Sequence, residues 1–250
     1  MNRIGEERVN NFGSKMKIIK YNGVRDVDIY FEEYDWIAKN KQYNDFLIGN
    51  IKCPYEPRTK GVGYLGEGNY KTRENNKKTK CYLTWISMLT RCYDSKYHEK
   101  YPTYIGCKVC DEWLNFQNFA EWYYDNHYEV DSEVMCLDKD ILVKGNKIYS
   151  PETCIFVPEK INLLFTKSNK SRGKYPIGVV EDKRTHRFNA TGYLNNSKTT
   201  VGVFDTPEEA FYKYKEVKEN HIKEIAENYK DKIPNELYKA LINYKVEIND

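Results

Sequence analysis

The chain has 250 residues, of which 40% are apolar and 31% charged, with a formal net charge of +3. This is the composition of a folded globular protein with room for two or three small cores, and it excludes a disordered chain. No run of about 18 apolar residues occurs and Met1 to Ser14 lacks an apolar stretch, so neither a membrane-spanning helix nor a secretory signal is expected, and the expected location is the cytoplasm.

Residues 15–31 predict two strands joined by a turn at Tyr21-Asn22-Gly23, because Val27, Ile29 and Phe31 alternate with Asp26, Asp28 and Tyr30. Pro54, Pro57, Gly61, Gly63, Gly66 and Gly68 punctuate the next stretch, and residues 1–70 are expected to form a small β-rich module. Gly61, Gly63 and Gly66 match the letters of a dinucleotide-binding pattern. No buried strand precedes them and no helix start comes after them, so they are expected as turn glycines.

The run Lys71 to Lys80 holds Lys71, Arg73, Lys77, Lys78 and Lys80 against Glu74, and Thr166 to Lys174 holds Lys167, Lys170, Arg172 and Lys174 with no acid. Both predict linkers or phosphate-contacting arms. Between them two helices are expected. Leu83, Ile86, Met88, Leu89 and Cys92 make one face, and Trp113, Phe116, Phe119, Ala120 and Tyr123 make the other. A strand is expected over 134–142, a tight turn at Lys144–Lys147, and a helix start at Ser150-Pro151-Glu152 with Ser as N-cap.

The C-terminal part predicts three short strands, Pro176–Asp182, Arg187–Leu194 and Lys198–Phe204. Thr206-Pro207-Glu208-Glu209 is a capping box that opens a helix, whose stripe Ala210, Phe211, Tyr214, Val217, Ile222 and Ile225 should cover one face of that sheet. The other face is expected to stay open. Seven cysteines, an odd number at irregular spacing, are expected as reduced thiols. Cys107-Lys108-Val109-Cys110 has zinc-knuckle spacing but lacks a second such pair, so structural zinc is not expected.

Residues 175–226 resemble the Apetala/ethylene-response-factor DNA-binding domain. The likeness rests on Gly178-Val179, Phe188, Ala190 and above all the block from Val201 to Ala210. That resemblance implies that the open sheet face enters the major groove of double-stranded DNA. Arg184, Arg187, Asn189, Thr191, Tyr193, Lys198 and Thr200 are then the expected contact residues. Several positions that are Arg or Trp in the family are Val180, Asp182, Thr191 and Thr200 here, which implies degenerate sequence readout.

Residues 84–165 resemble HNH endonucleases of phages and mobile introns, through Trp85, Met88, Arg91-Cys92, Val109-Cys110, Trp113, Leu137 to Ile141, Gly145-Asn146, Tyr149 to Cys154 and Asn162. The resemblance implies an α+β chain: a β-rich module over 1–70, a ββα-metal core with flanking helices over 81–165, and a three-stranded antiparallel sheet packed on one helix over 174–250. It further implies a homing-type endonuclease that hydrolyses phosphodiester bonds with Mg2+ or Mn2+. Asp138, Lys139 and Asn146 are the expected catalytic residues, and Asp138 and Asp140 the expected metal ligands.

This chain departs from the family at Lys139, where the family has His. A general base must be unprotonated, and lysine, with a pKa of about 10.4, would need to be pulled down by roughly 4–5 kcal/mol in a dry or cationic pocket. Lys139 is therefore expected to clamp a phosphate. The same residues allow two further readings: a catalytically silent DNA-binding or regulatory protein that keeps the core as a backbone clamp, and an interaction protein that reuses these domains as docking surfaces.

Overall fold

A computed structural model describes residues 3–166, 174–194 and 197–250, and of Tyr193 and Leu194 the backbone alone. The expected arm over Thr166–Lys174 lies almost wholly outside the described residues. The chain is α+β and forms two compact units, Met1–Asn126 with Lys147–Pro151, and His127–Asn146 with Glu152–Asp250. Among the described residues, no helix is long and apolar enough to cross a membrane.

The first unit begins with an antiparallel meander, β1 (Glu7–Val9), β2 (Lys15–Gly23), β3 (Asp26–Phe31) and β4 (Trp36–Lys41), in that spatial order. Strict alternation sends Met16, Ile18, Val27, Ile29 and Phe31 to one face, where Tyr43 and Phe46 of α1 (Tyr43–Leu47) cover them. The β-rich N-terminal module is therefore present. Gly61 and Gly66 adopt the left-handed backbone, and a side chain at Gly63 would collide with Trp85 and Leu89, which are the demands of turns and close packing.

The basic run 71–80, expected as a linker or an arm, is a small exposed hairpin of β5 (Arg73–Glu74) and β6 (Lys77–Lys78), turning at Asn75 and Asn76 in positive φ. Thr79 caps α2 (Lys80–Tyr93), which buries Cys81, Trp85, Met88, Leu89 and Cys92. Leu83, expected on this face, is exposed. Trp85 at helical spacing takes its place and donates Nε1–H to the carbonyl of Trp113 at 2.7 Å.

Asp94 caps α3 (Ser95–Lys100); then come β7 (Lys108–Val109), α4 (Asp111–Leu114) and α5 (Phe116–Asn126), whose buried face is the expected Phe116, Phe119, Ala120 and Tyr123. The chain enters the second unit with β8 (Met135–Asp138) and returns to the first for β9 (Ile148–Tyr149), which pairs in parallel with β7.

In the second unit β8 pairs antiparallel with β10 (Ile155–Pro158), Asp138 standing opposite Ile155, and α6 (Glu159–Leu164) comes next. Two expectations fail here. The strand expected over 134–142 stops at Asp138, and no helix starts at Ser150-Pro151-Glu152, where the chain makes a turn. The reason is the apolar run Cys154 to Val157, buried throughout, which pairs as a strand and delays the helix until after Pro158.

The C-terminal sheet runs β11 (Val179–Asp182), β12 (Arg187–Leu194) and β13 (Ser197–Phe204), antiparallel and in that order. The Thr206/Glu209 capping box opens α7 (Pro207–Tyr229), and α8 (Asn235–Ile242) ends the fold. Helix α7 does not give its whole stripe to the sheet. Ala210, Phe211 and Tyr214 pack with Val179, Ala190 and Val246. Further along the helix, Ile222, Ala226 and Tyr229 pack with Ile141, Ile155, Val157, Ile161, Leu237 and Leu241. One helix thus supports both the sheet and the hairpin of β8 and β10. Gly178 sits at φ +78 against the Tyr214 ring, where any side chain would overlap the ring.

Candidate functional site

The loop after β8 carries the residues singled out for catalysis. Asp138 Oδ1 accepts the backbone N–H groups of Asp140 at 2.9 Å and Ile141 at 2.7 Å, so this carboxylate closes the first turn of the loop. Burial, reinforced by the nearby Asp140 carboxylate, pushes the Asp138 pKa above the usual carboxylate range, against the pull of those two N–H groups and of Lys139.

Lys139 is only 7% exposed. Its Nζ donates to the carbonyl of Asn146 at 2.9 Å and to Asp140 Oδ2 at 3.0 Å. Asn146 Nδ2 donates in return to the carbonyl of Lys139 at 2.7 Å. The two side chains thereby pin the ends of the loop to each other.

A divalent cation held by Asp138 and Asp140 needs free carboxylate oxygens converging on one point. Here Asp138 Oδ1 is engaged by two N–H groups, and Asp140 faces an ammonium. A cation held by Asp140 would have to compete with the Lys139 ammonium, which stands 3.0 Å from Asp140 Oδ2. Among the described residues, no three His, Cys, Asp or Glu side chains converge on a metal-sized site. Lys139 Nζ is engaged by a carboxylate and a carbonyl, the atom that a base would have to offer to a substrate.

The second candidate surface is the outer face of β11–β13. Phe188 and Ala190 pack inward, so Arg187, Asn189 and Thr191 point outward. Arg187 stands opposite Asp182, Asn189 between Val180 and Val203, Thr191 opposite Thr200, and Tyr193 opposite Lys198. The register shifts between Ala190 and Thr191, leaving Val201 as the extra residue on β13. That bulge carries Thr200 and Lys198 onto the outer face.

The face brings the expected residues together, and it is less basic than a bare count of cations implies. Arg187 Nε donates to Asp205 Oδ1 at 2.9 Å, and Thr191 Oγ1 donates to the carbonyl of Gly178 at 3.1 Å. Arg184 is exposed in the turn, its N–H donating to Asp182 Oδ1. Val180 and Val203, which sequence reasoning did not select as contacts, are 49% and 45% exposed on either side of Asn189. Their signal was cross-strand register, which a sequence does not print.

Arg91 was noted only as part of a motif, yet it is the most unusual cation in the first unit. Its Nε is buried without a hydrogen-bond partner among the described residues. No protein-family model, no curated protein and no solved structure matches this chain. The likenesses to the HNH and Apetala/ethylene-response-factor families rest on their motif residues alone.

Proposed function

We propose that this chain is a double-stranded DNA-binding protein that presents the outer face of β11–β13 to the groove and whose HNH-like loop is a structural, non-hydrolytic element. The observation that carries the second half is Lys139. A buried ammonium satisfied by Asp140 and Asn146 occupies the centre of the loop in which a nuclease of this type needs a base and a metal. The first half is supported by the sheet: a three-stranded surface with one face on α7 and the other holding Arg187, Asn189, Lys198 and Thr200 beside two exposed valines. Amide and guanidinium groups suit base edges and phosphates, and valine suits the thymine methyl.

The test is direct. The full chain should bind a short DNA duplex with an affinity that falls steeply with salt, and should leave supercoiled plasmid intact in Mg2+ or Mn2+. Salt-insensitive or absent duplex binding would sink the reading. A second reading, metal-dependent phosphodiester hydrolysis, is favoured by one observation: Asp138 and Asp140 share a turn at the end of a hairpin strand, with a helix after the hairpin. It requires Lys139 to leave the loop. Plasmid nicking by the wild type that disappears in Asp138→Ala would establish it.

A further inference from the structure

The hairpin of β5 and β6 belongs to the first unit and contributes no buried side chain to it. Residues 71–80 read Lys-Thr-Arg-Glu-Asn-Asn-Lys-Lys-Thr-Lys, with no apolar residue, and all but Thr72 and Thr79 are exposed. It is nonetheless a built element. Asn75 and Asn76 both adopt positive φ, as the central positions of a type I′ turn require, and that turn matches the twist of the strands it joins. The ladder continues below the strands: the Thr79 N–H donates to the carbonyl of Thr72 at 3.1 Å, and the Thr79 hydroxyl donates to the carbonyl of Lys71 at 3.2 Å. Gln117 fixes the chain just before it, accepting the Tyr70 N–H at 3.0 Å and donating to the Tyr70 carbonyl at 3.1 Å.

Five of these ten residues are cations and one is an acid. The register sets Arg73 directly opposite Lys78, and Glu74 opposite Lys77. Like charges facing each other across a ladder destabilise it, so the first pair works against the hairpin it belongs to. Among the described residues, Lys71, Arg73, Lys77, Lys78 and Lys80 form no ion pair. Arg73 Nη1 donates to the carbonyl of Asn76 at 3.2 Å, and Lys78 Nζ lies 5.9 Å from the centre of the Tyr82 ring. The lysines of β2, in the same unit, are different. Lys15 and Lys17 lie 2.7 and 3.5 Å from Glu7, and Lys20 lies 3.9 Å from Asp28. Charge on the meander is met within the fold, whereas charge on the hairpin faces outward unmatched.

We infer that the hairpin of β5 and β6 is a second DNA-contacting element, which sets its cations against the phosphates of a duplex. A two-stranded ribbon is a shape that the major groove admits, and the tip of this one carries the amides of Asn75 and Asn76. A protein interface is built on an apolar centre and a membrane-surface element on an apolar face, and the hairpin has neither. Cations on phosphates release counterions whatever the base sequence, so the hairpin supplies affinity and leaves sequence readout to other contacts. The choice of partner rests on the proposed DNA binding; the unmatched charge does not.

Three variants of the full chain test it. The hairpin variant combines Arg73→Gln, Lys77→Gln and Lys78→Gln. The meander variant combines Lys15→Gln, Lys17→Gln and Lys20→Gln and removes the same charge. The sheet variant combines Arg187→Ala and Lys198→Ala. Binding to short DNA duplexes of unrelated sequence is measured against salt, and lysine acetylation of the wild type is mapped by mass spectrometry with and without duplex. The hairpin variant should melt no lower than the wild type, since the Arg73–Lys78 repulsion is gone. It should bind every duplex about tenfold or more weakly, with a salt slope lower by roughly two to three. The meander variant should lose less, and duplex should protect Lys77 and Lys78 but not Lys15 and Lys17.

A hairpin variant that keeps the wild-type affinity and slope, or loses no more than the meander variant, would overturn the inference. So would equal acetylation of Lys77 and Lys78 with and without duplex, a measurement that needs no variant to fold. If the sheet variant weakens binding and the hairpin variant does not, the hairpin fails and the proposed function stands. If the hairpin variant weakens binding and the sheet variant does not, the hairpin stands and the groove-facing sheet fails. Absence of duplex binding by the wild type overturns both, and binding to phosphatidylserine vesicles that the hairpin variant abolishes would then give the hairpin to an anionic membrane.

Discussion

Lys139 and Arg91 are cations drawn into the protein, one in each unit, and they differ in what meets the charge. Lys139 is surrounded by its own loop: a carboxylate, a backbone carbonyl and an amide that bonds back to it. Arg91 has tyrosine rings and hydroxyls, an orphaned Nε and no paired acid. Removing one partner of a satisfied buried pair leaves an uncompensated charge, whereas removing a partly buried charge that is met only by tyrosine dipoles and rings leaves no opposite charge behind. Lys139 therefore looks inward and serves the fold of its loop, whereas Arg91 is held by aromatic side chains.

The largest effect should come from behind the Lys139 loop. Ile222→Ala hollows the core that holds Ile141, Ile155 and Val157, and should lower stability by roughly 2–5 kcal/mol in denaturant titrations, with little change in duplex affinity once folded. A much smaller loss would mean that the hairpin is not supported by α7. Next, Lys139→Met should cost roughly 1–3 kcal/mol, because Asp140 and the Asn146 carbonyl lose a buried partner. Arg91→Met should leave stability within about 1 kcal/mol of the wild type or raise it. Equal losses in the two variants would break the contrast drawn between them.

A pH effect sharpens it further. The Asp138 pKa is raised by burial and by Asp140, so the native state holds that proton more tightly than the unfolded chain. Its stabilising contribution is full below the unfolded pKa and is lost as pH rises through the native one. Wild type should therefore lose stability relative to Asp138→Asn on raising pH from the ordinary Asp range upward, as read by melting temperature. A difference that grows in the opposite direction would show a carboxylate stabilised in its charged form, as a metal ligand would be. The smallest stability change belongs to Arg187→Ala, whose exposed pair with Asp205 should contribute less than about 0.5 kcal/mol. Its effect should appear instead as weaker duplex binding with a shallower salt slope.

The periodic parts of the chain were legible from sequence because local chemistry decides them. The meander of β2 and β3, the buried faces of α2 and α5 in outline, the Thr206/Glu209 capping box and the three C-terminal strands all arise from alternation, helical spacing and capping residues within a few positions of one another. The outward set Arg187, Asn189 and Thr191 was legible for the same reason, since a strand alternates faces by itself. Thr200 and Lys198 reach that face through a bulge at Val201, and no residue type announces where an extra residue will be accommodated.

The remaining features were beyond any local pattern. Cys154–Val157 is too short for periodicity to tell a strand from a helix, and pairing with β8 decided the matter. The stripe of α7 reads as one continuous face, but its division between two cores depends on which distant apolar residues arrive there, Val179 and Ala190 at one end and Ile141 and Val157 at the other. Likewise, sequence alone established that a lysine stands between the acids Asp138 and Asp140. Only the folded loop decided that this lysine is buried and neutralised, because desolvation and hydrogen bonding depend on residues up to seven positions away being brought within 3.0 Å.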